Sequence, residues 1–341
     1  MTEVRPFQES DAERWDAYVR AAPDSHFGQL VAWMRLVERQ YPCRATYSLA
    51  LRHGRVSGIL PLFLHRGAPG GGILFSAPGG LLADDEESAR ALIAAASGRV
   101  REEGLRYLEL RDQRRRWDGL VTVEEHATLE LTLAAGEEEQ WRGFDAKLRN
   151  QIRKGQRSGF EARWGADGLA AFHRVLLENM RDLGTPIRAR GYFRDALERM
   201  GSAATVLVLY SGREPAGAMF LVEHRDGIAD PWASSLRRFF DRCPNQVLYW
   251  EAIRYAIGRG LKRFDFGRSQ WDSPTFRFKA QWGARPVPLH YQYVLGRAGS
   301  APTLEAQKHG LGWATAAWRR LPLPVARALG EPLRRLFPEA L

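Results

Sequence analysis

Gly260-Leu-Lys-Arg-Phe-Asp-Phe-Gly-Arg268 echoes Gly104-Leu-Arg-Tyr-Leu-Glu-Leu-Arg111, which lies 156 positions earlier. Each stretch opens on a glycine that follows a helical pattern, residues 89–103 in one case and 247–259 in the other. A glycine at that point closes a helix in left-handed backbone before a strand begins. A second pair of segments repeats at nearly the same distance. Residues 47–63, with Gly54 at the turn, read as a β-hairpin, and residues 206–220, with Gly212 at the turn, read as another 158 positions on. Helix, hairpin, helix and strand thus occur twice, which implies a duplicated α/β domain. The acidic stretch at 136–140 supplies the joint. The expected organisation is a first domain at 1–138, a second at 139–298, and a tail at 299–341 richer in Pro, Arg and Trp.

With 341 residues the chain is long enough for two cores. Its net charge of +10 favours an anionic partner such as RNA, a nucleotide-linked substrate or acidic lipid. The two cysteines, Cys43 and Cys243, stand far apart and at no metal-ligand spacing. The N-terminus has no apolar signal region, and no run approaches the ~20 apolar residues that span a bilayer. These features predict a cytoplasmic protein. They leave open peripheral contact with the inner face of the plasma membrane.

The repeated strand at 260–268 runs on into Phe276-Arg-Phe-Lys-Ala-Gln-Trp-Gly-Ala284, a sequel that 104–111 lacks. Its Lys279 is one of 5 lysines among 50 basic residues. Read as the end of an aromatic strand, it is a candidate oxyanion donor; read blandly, it is a solvated charge on a core strand. Upstream, Trp141, Phe144, Leu148 and Ile152 fall on one face of a predicted helix. Arg142, Lys147, Arg149, Arg153, Lys154 and Arg157 lie on the other, with few acidic partners at helical spacing. That face suits an anion.

Further candidates lie on second-half loops and strands. Asp182-Leu-Gly-Thr185-Pro reads as a helix exit facing a ligand. Asp230-Pro-Trp232-Ala-Ser-Ser235-Leu-Arg237-Arg reads as a strand ending in hydroxyls and guanidinium groups, and Asn245 as a helix N-cap. No nucleophile elbow, P-loop or dinucleotide fingerprint occurs, and no histidine sits at zinc-ligand spacing. No cofactor and no metal are therefore expected. The remaining chemistry is one in which the substrate arrives activated and the protein orients it and stabilises charge.

Taken together, Trp232-Ala-Ser-Ser-Leu-Arg237, Pro244-Asn245, Leu248-Tyr-Trp-Glu-Ala-Ile253, Phe264-Asp-Phe-Gly-Arg-Ser269 and Phe278-Lys-x-x-Trp-Gly-Ala284 resemble the FemAB family. The likeness is nearest to FemAB-like proteins of exosortase and PEP-CTERM exopolysaccharide systems. It implies mixed α+β architecture: two tandem GCN5-related N-acetyltransferase-like domains, each a mixed, mainly antiparallel sheet flanked by helices. It also implies transfer of an activated acyl or aminoacyl group to an amine of a cell-wall or exopolysaccharide precursor. Aminoacyl-tRNA, acyl-CoA and acyl carrier protein are the donor candidates. The family's Phe-Lys pair falls on Phe278 and Lys279, with the lysine stabilising the oxyanion. Its basic helix falls on Arg149, Arg153 and Lys154, as donor or anion binding. Phe278 and Trp282 would keep the site dry, and Arg268 and Arg237 would hold carboxylate or phosphate. Asp265 is either the proton acceptor or a structural acid. Two departures stand out. Pro274 replaces an expected glycine, and the Gly-rich pyrophosphate loop of simple acetyltransferases is missing before the 247–259 helix. A non-catalytic module binding tRNA or a polysaccharide precursor, and an amino-sugar N-acyltransferase, are the alternatives.

In the tail, six cations and three acids accompany Trp313, Trp318 and several leucines. Such a segment either contacts a membrane surface or packs back on the domains. Prolines at 322, 324, 332 and 338 are expected to break any long amphipathic helix there.

Overall fold

The computed structural model describes residues 2–67 and 71–336, with the side chains of 304–311 and 335–336 outside the description. The chain forms two compact units: Met1–Glu125 with Pro288–Gly310 and Arg334–Leu341, and His126–Val287 with Leu311–Leu333. In chain order the first contains β1 (Glu3–Pro6), α1 (Ala12–Ala21), α2 (Val31–Gln40), β2 (Arg44–Ala45), β3 (Ser48–Arg52), β4 (Arg55–Leu60), β5 (Leu62–His65), β6 (Ile73–Ser76), β7 (Leu82–Ala83), α3 (Glu86–Glu102) and β8 (Tyr107–Gln113). Next come β9 (Val121–Thr132), α4 (Glu137–Gly143), α5 (Ala146–Arg157), β10 (Phe160–Trp164), α6 (Leu169–Leu183), α7 (Arg190–Met200), β11 (Ala204–Ser211), β12 (Glu214–His224), β13 (Gly227–Ser235), α8 (Pro244–Gly258), β14 (Arg263–Gln270) and α9 (Pro274–Ala280). The chain closes with β15 (Arg285–Leu295), α10 (Leu304–Arg319) and α11 (Leu323–Leu336).

Strands of the first unit run β1-β3-β4-β7 in one sheet and β15-β8-β6-β5-β2 in another; those of the second run β10-β11-β12-β13-β14-β9. Both units are mainly antiparallel among the described residues, where β6 runs parallel to β8 and β13 to β14. The repeat is visible in the hydrogen bonds. After α3, Gly104 takes φ 59° and Leu105 N–H reaches back to Val100 O at 2.9 Å. After α8, Gly260 takes φ 71° and Leu261 N–H reaches Ala256 O at 3.0 Å. These are the same cap, and both release the chain into the parallel strand. The two hairpins turn at Gly54 (φ 75°) and Gly212 (φ 62°), as their glycines predict.

Three local expectations are corrected. The basic segment is two helices rather than one, because Asp145 caps α5 by accepting from Leu148 N–H at 2.6 Å. Asn245 is not an N-cap: α8 begins at Pro244, after Cys243 in left-handed backbone (φ 55°), and Asn245 sits inside its first turn. Lys279 is not on a strand. Ser273 accepts from Phe276 N–H at 3.1 Å and Pro274 takes the first helical position, so 274–280 is helical.

Alternation along β11 and β12 gives the second sheet two apolar faces. Leu207, Leu209, Met219 and Leu221 pack with Leu148 and Ile152 of α5 and with Val247, Leu248 and Ile253 of α8. Phe220 points the other way, to Phe172 of α6 and Phe193 of α7. Burial of Leu148 and Ile152 contributes roughly 2 kcal/mol each. That offsets the mutual repulsion of the cations on the outer face of α5.

Of the tail, α10 and α11 are both helices, and α11 accommodates Pro332 inside its span. Arg181 donates to Leu321 O at 2.9 Å and Gly330 lies against Ile187, so these helices pack on α6 and the segment after it. Trp318 is buried while Trp313 is 78% exposed. Phe337 and Pro338 lie outside the described residues. Among the described residues no helix is long and apolar enough to cross a membrane.

Candidate active site

The second unit's parallel strands pair at three positions, Gly227↔Arg263, Ile228↔Phe264 and Ala229↔Asp265, and at none beyond. Each partner is irregular at this point. β13 slips against β12 between Phe220 and Val222, so that Asp230 and Pro231 share one place opposite Leu221. Pro231 has no N–H to give a ladder, which is why a bulge tolerates it. β14 slips against β9 between Asp265 and Arg268, around Gly267 at φ 70°. The first slip changes which way β13 faces. Trp232 and Ser234 point toward α6 and α7, where Trp232 meets Phe193 at 5.1 Å and Ser234 accepts from Asn179 at 3.0 Å. Asp230 instead turns toward Tyr249 of α8.

Asp230 is 4% exposed, and neither of its carboxyl oxygens has a hydrogen-bond partner. The Tyr249 hydroxyl faces it closely enough to favour its charged form. Burial pushes the Asp230 carboxyl up to about 8, against the pull of the Lys279 ammonium and the Tyr249 phenol; the Asp265 charge adds to the rise. Lys279, on α9, is 5% exposed and donates from Nζ to Gly267 O at 2.8 Å and to Arg268 O at 3.2 Å. Burial lowers its pKa, as does the Arg268 cation, while Asp230 and Asp265 oppose the shift. A buried ammonium and a buried carboxyl therefore stand at the parting of two strands. On the neighbouring segments, Ser235 Oγ, Ser269 Oγ and Trp282 Nε1 are also buried without hydrogen-bond partners. Interiors leave few such atoms, so each is a candidate contact for a ligand. Among the described residues no group of three or more His, Cys, Asp or Glu is arranged to hold a metal.

Residues 142–280 match the family model described as "Acetyltransferase (GNAT) domain". Solved structures are similar over most of the chain. FemX is 15% identical with a TM-score of 0.68, over 86% of this chain and 98% of that one. A tandem GNAT protein from the clavulanic acid biosynthesis pathway is 13% identical with a TM-score of 0.57, over 89% and 100%. L-PGS from Bacillus licheniformis is 11% identical with a TM-score of 0.53, over 84% and 96%. No curated protein matches the chain in sequence. The fold is that of a tandem GNAT protein. Its matched GNAT domain takes in Asp230, Tyr249 and Lys279.

Five of the sequence-derived residues, Asp265, Arg268, Phe278, Lys279 and Trp282, come together around β14 and α9. Phe278 and Trp282 place their rings 5.3 Å and 5.9 Å from Tyr249. Arg268 is exposed and contributes its carbonyl to Lys279. Asp265 accepts from the Thr128 hydroxyl and from Gly267 N–H at 2.8 Å, which pins the bulge. The others lie apart from this group. Arg149 spends its guanidinium on Phe144 O at 2.6 Å and Arg142 O at 3.3 Å, closing the end of α4. Arg153 is exposed above Trp141 at 5.3 Å, and Lys154 is exposed beside it. Thr185 follows the left-handed Gly184 at the exit of α6, and its N–H returns to Met180 O at 2.9 Å. Trp232 packs on the α6–α7 face, Ser235 is buried at the end of β13, Arg237 is exposed, and Asn245 is half-buried. Sequence reasoning missed Asp230 and Tyr249. The one available signal was Pro231 inside a strand pattern, which marks a bulge and hence a change of face.

Proposed function

We propose that the second unit is a FemAB-like N-acyltransferase, moving an activated acyl or aminoacyl group to an amine of a cell-wall or exopolysaccharide precursor. The observation that carries this reading is the buried Lys279 ammonium at the parting of β13 and β14, inside the segment that matches a GNAT domain. Two of its three N–H groups are taken by Gly267 and Arg268 carbonyls, and the third is left for an oxyanion. Amine attack on an acyl ester or thioester gives a tetrahedral oxyanion. One charged donor held in a dry site stabilises it by about 3 kcal/mol. Phe278 and Trp282 provide the dry wall, and Arg153 and Lys154 offer their charges to an anionic donor.

A second reading has an observation of its own. Lys279 bonded to two backbone carbonyls is also what a structural pin looks like, and it suits a binding module without turnover. One experiment separates them: protein, an amine acceptor and each of acyl-CoA, acyl carrier protein and aminoacyl-tRNA, with products read by mass. The proposal expects an amide product from one donor class and a loss of about 100-fold or more in Lys279→Met. Binding of a donor with no amide formed establishes the module instead.

A further inference from the structure

We propose that Asp230 receives the amine of the acceptor and takes a proton from it, which assigns a primary amine, entering as its ammonium ion, to the opening between β13 and β14. The inference rests on the acyl-transfer reading for its chemistry, though the amine site itself does not. A carboxylate can accept up to four hydrogen bonds. Asp230 has none from the described residues, although it is buried, whereas neighbouring Asp265 is already engaged by Thr128 and Gly267. An ammonium ion supplies hydrogen-bond donors to those oxygens and adds a positive charge to that of Lys279, which is how a buried carboxylate is made tolerable.

Gly267 brings β14 close against the same residue: a Cβ there would stand 3.0 Å from Asp230 O and 3.3 Å from its Oδ1. The oxyanion donor is also in place, since Lys279 bonds the carbonyl of that same Gly267 at 2.8 Å. Base and oxyanion donor thus flank one residue, as attack by an amine on a carbonyl requires.

The steps balance. The ammonium gives one proton to the Asp230 carboxylate, and the freed nitrogen lone pair forms a bond to the acyl carbon. The carbonyl π pair moves to oxygen, against Lys279. On collapse the C–O or C–S bond breaks, and a second proton passes from nitrogen to the leaving oxygen or sulfur. Asp230 then releases its proton to solvent. A carboxyl that titrates near 8 holds a proton more firmly than an ordinary carboxylic acid, as a base working near neutral pH should.

The test uses the full chain and propylamine as probe. Carboxyl-carbon NMR follows Asp230 in the wild-type protein, with Asp230→Asn identifying its resonance. Tyr249, Lys279 and Asp265 are the groups that face it. The expected result is that propylamine moves the Asp230 titration to lower pH, while propanol does not. In the transfer assay Asp230→Asn should lose about 100-fold or more in kcat and the acid limb of its pH profile, with donor KM unchanged. An Asp230 resonance indifferent to propylamine overturns the amine site; if Asp230→Asn fails to fold, Asp230→Glu identifies the resonance instead. Transfer that survives in Asp230→Asn with its pH profile intact overturns the base role. If propylamine binds through Asp230 but the wild type makes no amide, the acyl-transfer reading fails and the amine site stands.

Discussion

Gly267→Ala probes the parting of the strands most directly. Two costs are added at once. An alanine at φ 70° is in left-handed backbone, which costs an L-residue about 1–2 kcal/mol. Its Cβ would also lie 3.0 Å from the backbone oxygen of Asp230, which is held by β13 and cannot swing aside. Overpacking of that kind adds about 1–3 kcal/mol, giving about 2–5 kcal/mol in all. Gly260→Ala is the matched control: its φ is 71°, nothing lies within 4 Å of the added carbon, and only the first cost applies. Urea unfolding of both variants, followed by circular dichroism and tryptophan fluorescence at pH 6, gives the comparison. Gly267→Ala should be the less stable by about 1–3 kcal/mol at unchanged slope. Costs equal to within about 0.5 kcal/mol would show that Asp230 does not press on Gly267, and the account of the opening would be wrong.

Asp230 also predicts a pH effect whose sign can be fixed. Its carboxyl ordinarily titrates at 3.8 and does so at about 8 in the folded protein, so the native state binds the extra proton. The stability this confers is full below the ordinary carboxylate range and is lost as pH rises through 8. Between pH 6 and pH 9 the wild type should therefore lose stability relative to Asp230→Asn; parallel pH profiles in urea would contradict it. Replacing both Arg153 and Lys154 by Gln should raise the donor KM several-fold and leave kcat within about twofold, because both side chains are exposed and away from Lys279. A fall in kcat at saturating donor would count against a binding role. In the first unit, Glu109→Gln breaks a buried ion pair, Arg111 Nη2 to Glu109 Oε2 at 2.8 Å, and weakens the bond from the Tyr293 hydroxyl at 3.0 Å. The expected loss is about 3–5 kcal/mol, and a urea midpoint shift worth less than 1 kcal/mol would show the pair to be dispensable.

The duplicated architecture was legible because helix-closing glycines are local signals: Gly104 and Gly260 need left-handed backbone whatever surrounds them. Helix starts were legible too, but were outweighed. Ser273-Pro274 and Asp145 are ordinary start signals, yet the alternating Phe276 and Phe278 suggested a strand, and the apolar spacing from Trp141 to Ile152 suggested one unbroken helix. Asp230 was out of reach for a different reason. Which face of β13 it occupies depends on where β12 slips, and a register shift is a property of two strands that neither sequence contains alone. The candidate site was therefore half visible: α9 and β14 came from motif, while β13 and α8 were marked by Trp232, Ser235 and Asn245 and not by Asp230 and Tyr249.

The two copies then explain one another. In the first unit the last parallel pair is Phe75↔Glu109, and in the second it is Ala229↔Asp265. One residue further on the first strand stands Ser76 in one copy and Asp230 in the other. Two residues further on the second strand stand Arg111 and Gly267, which the repeat offset of 156 makes counterparts. Ser76 Oγ accepts from Arg111 N–H at 2.8 Å. The buried Arg111 guanidinium lies 4.2 Å over Phe75 and pairs with Glu109. The first opening is thus filled and satisfied by its own residues. In the second, the serine has become a carboxyl whose oxygens accept no hydrogen bond, and the arginine has become a glycine that lets the strand lie against Asp230. An unpaired buried carboxyl costs stability, and a close-packed alternative to it exists in the same chain. Keeping that cost in one copy is intelligible if a cationic ligand removes it, which is the role assigned to the acceptor amine.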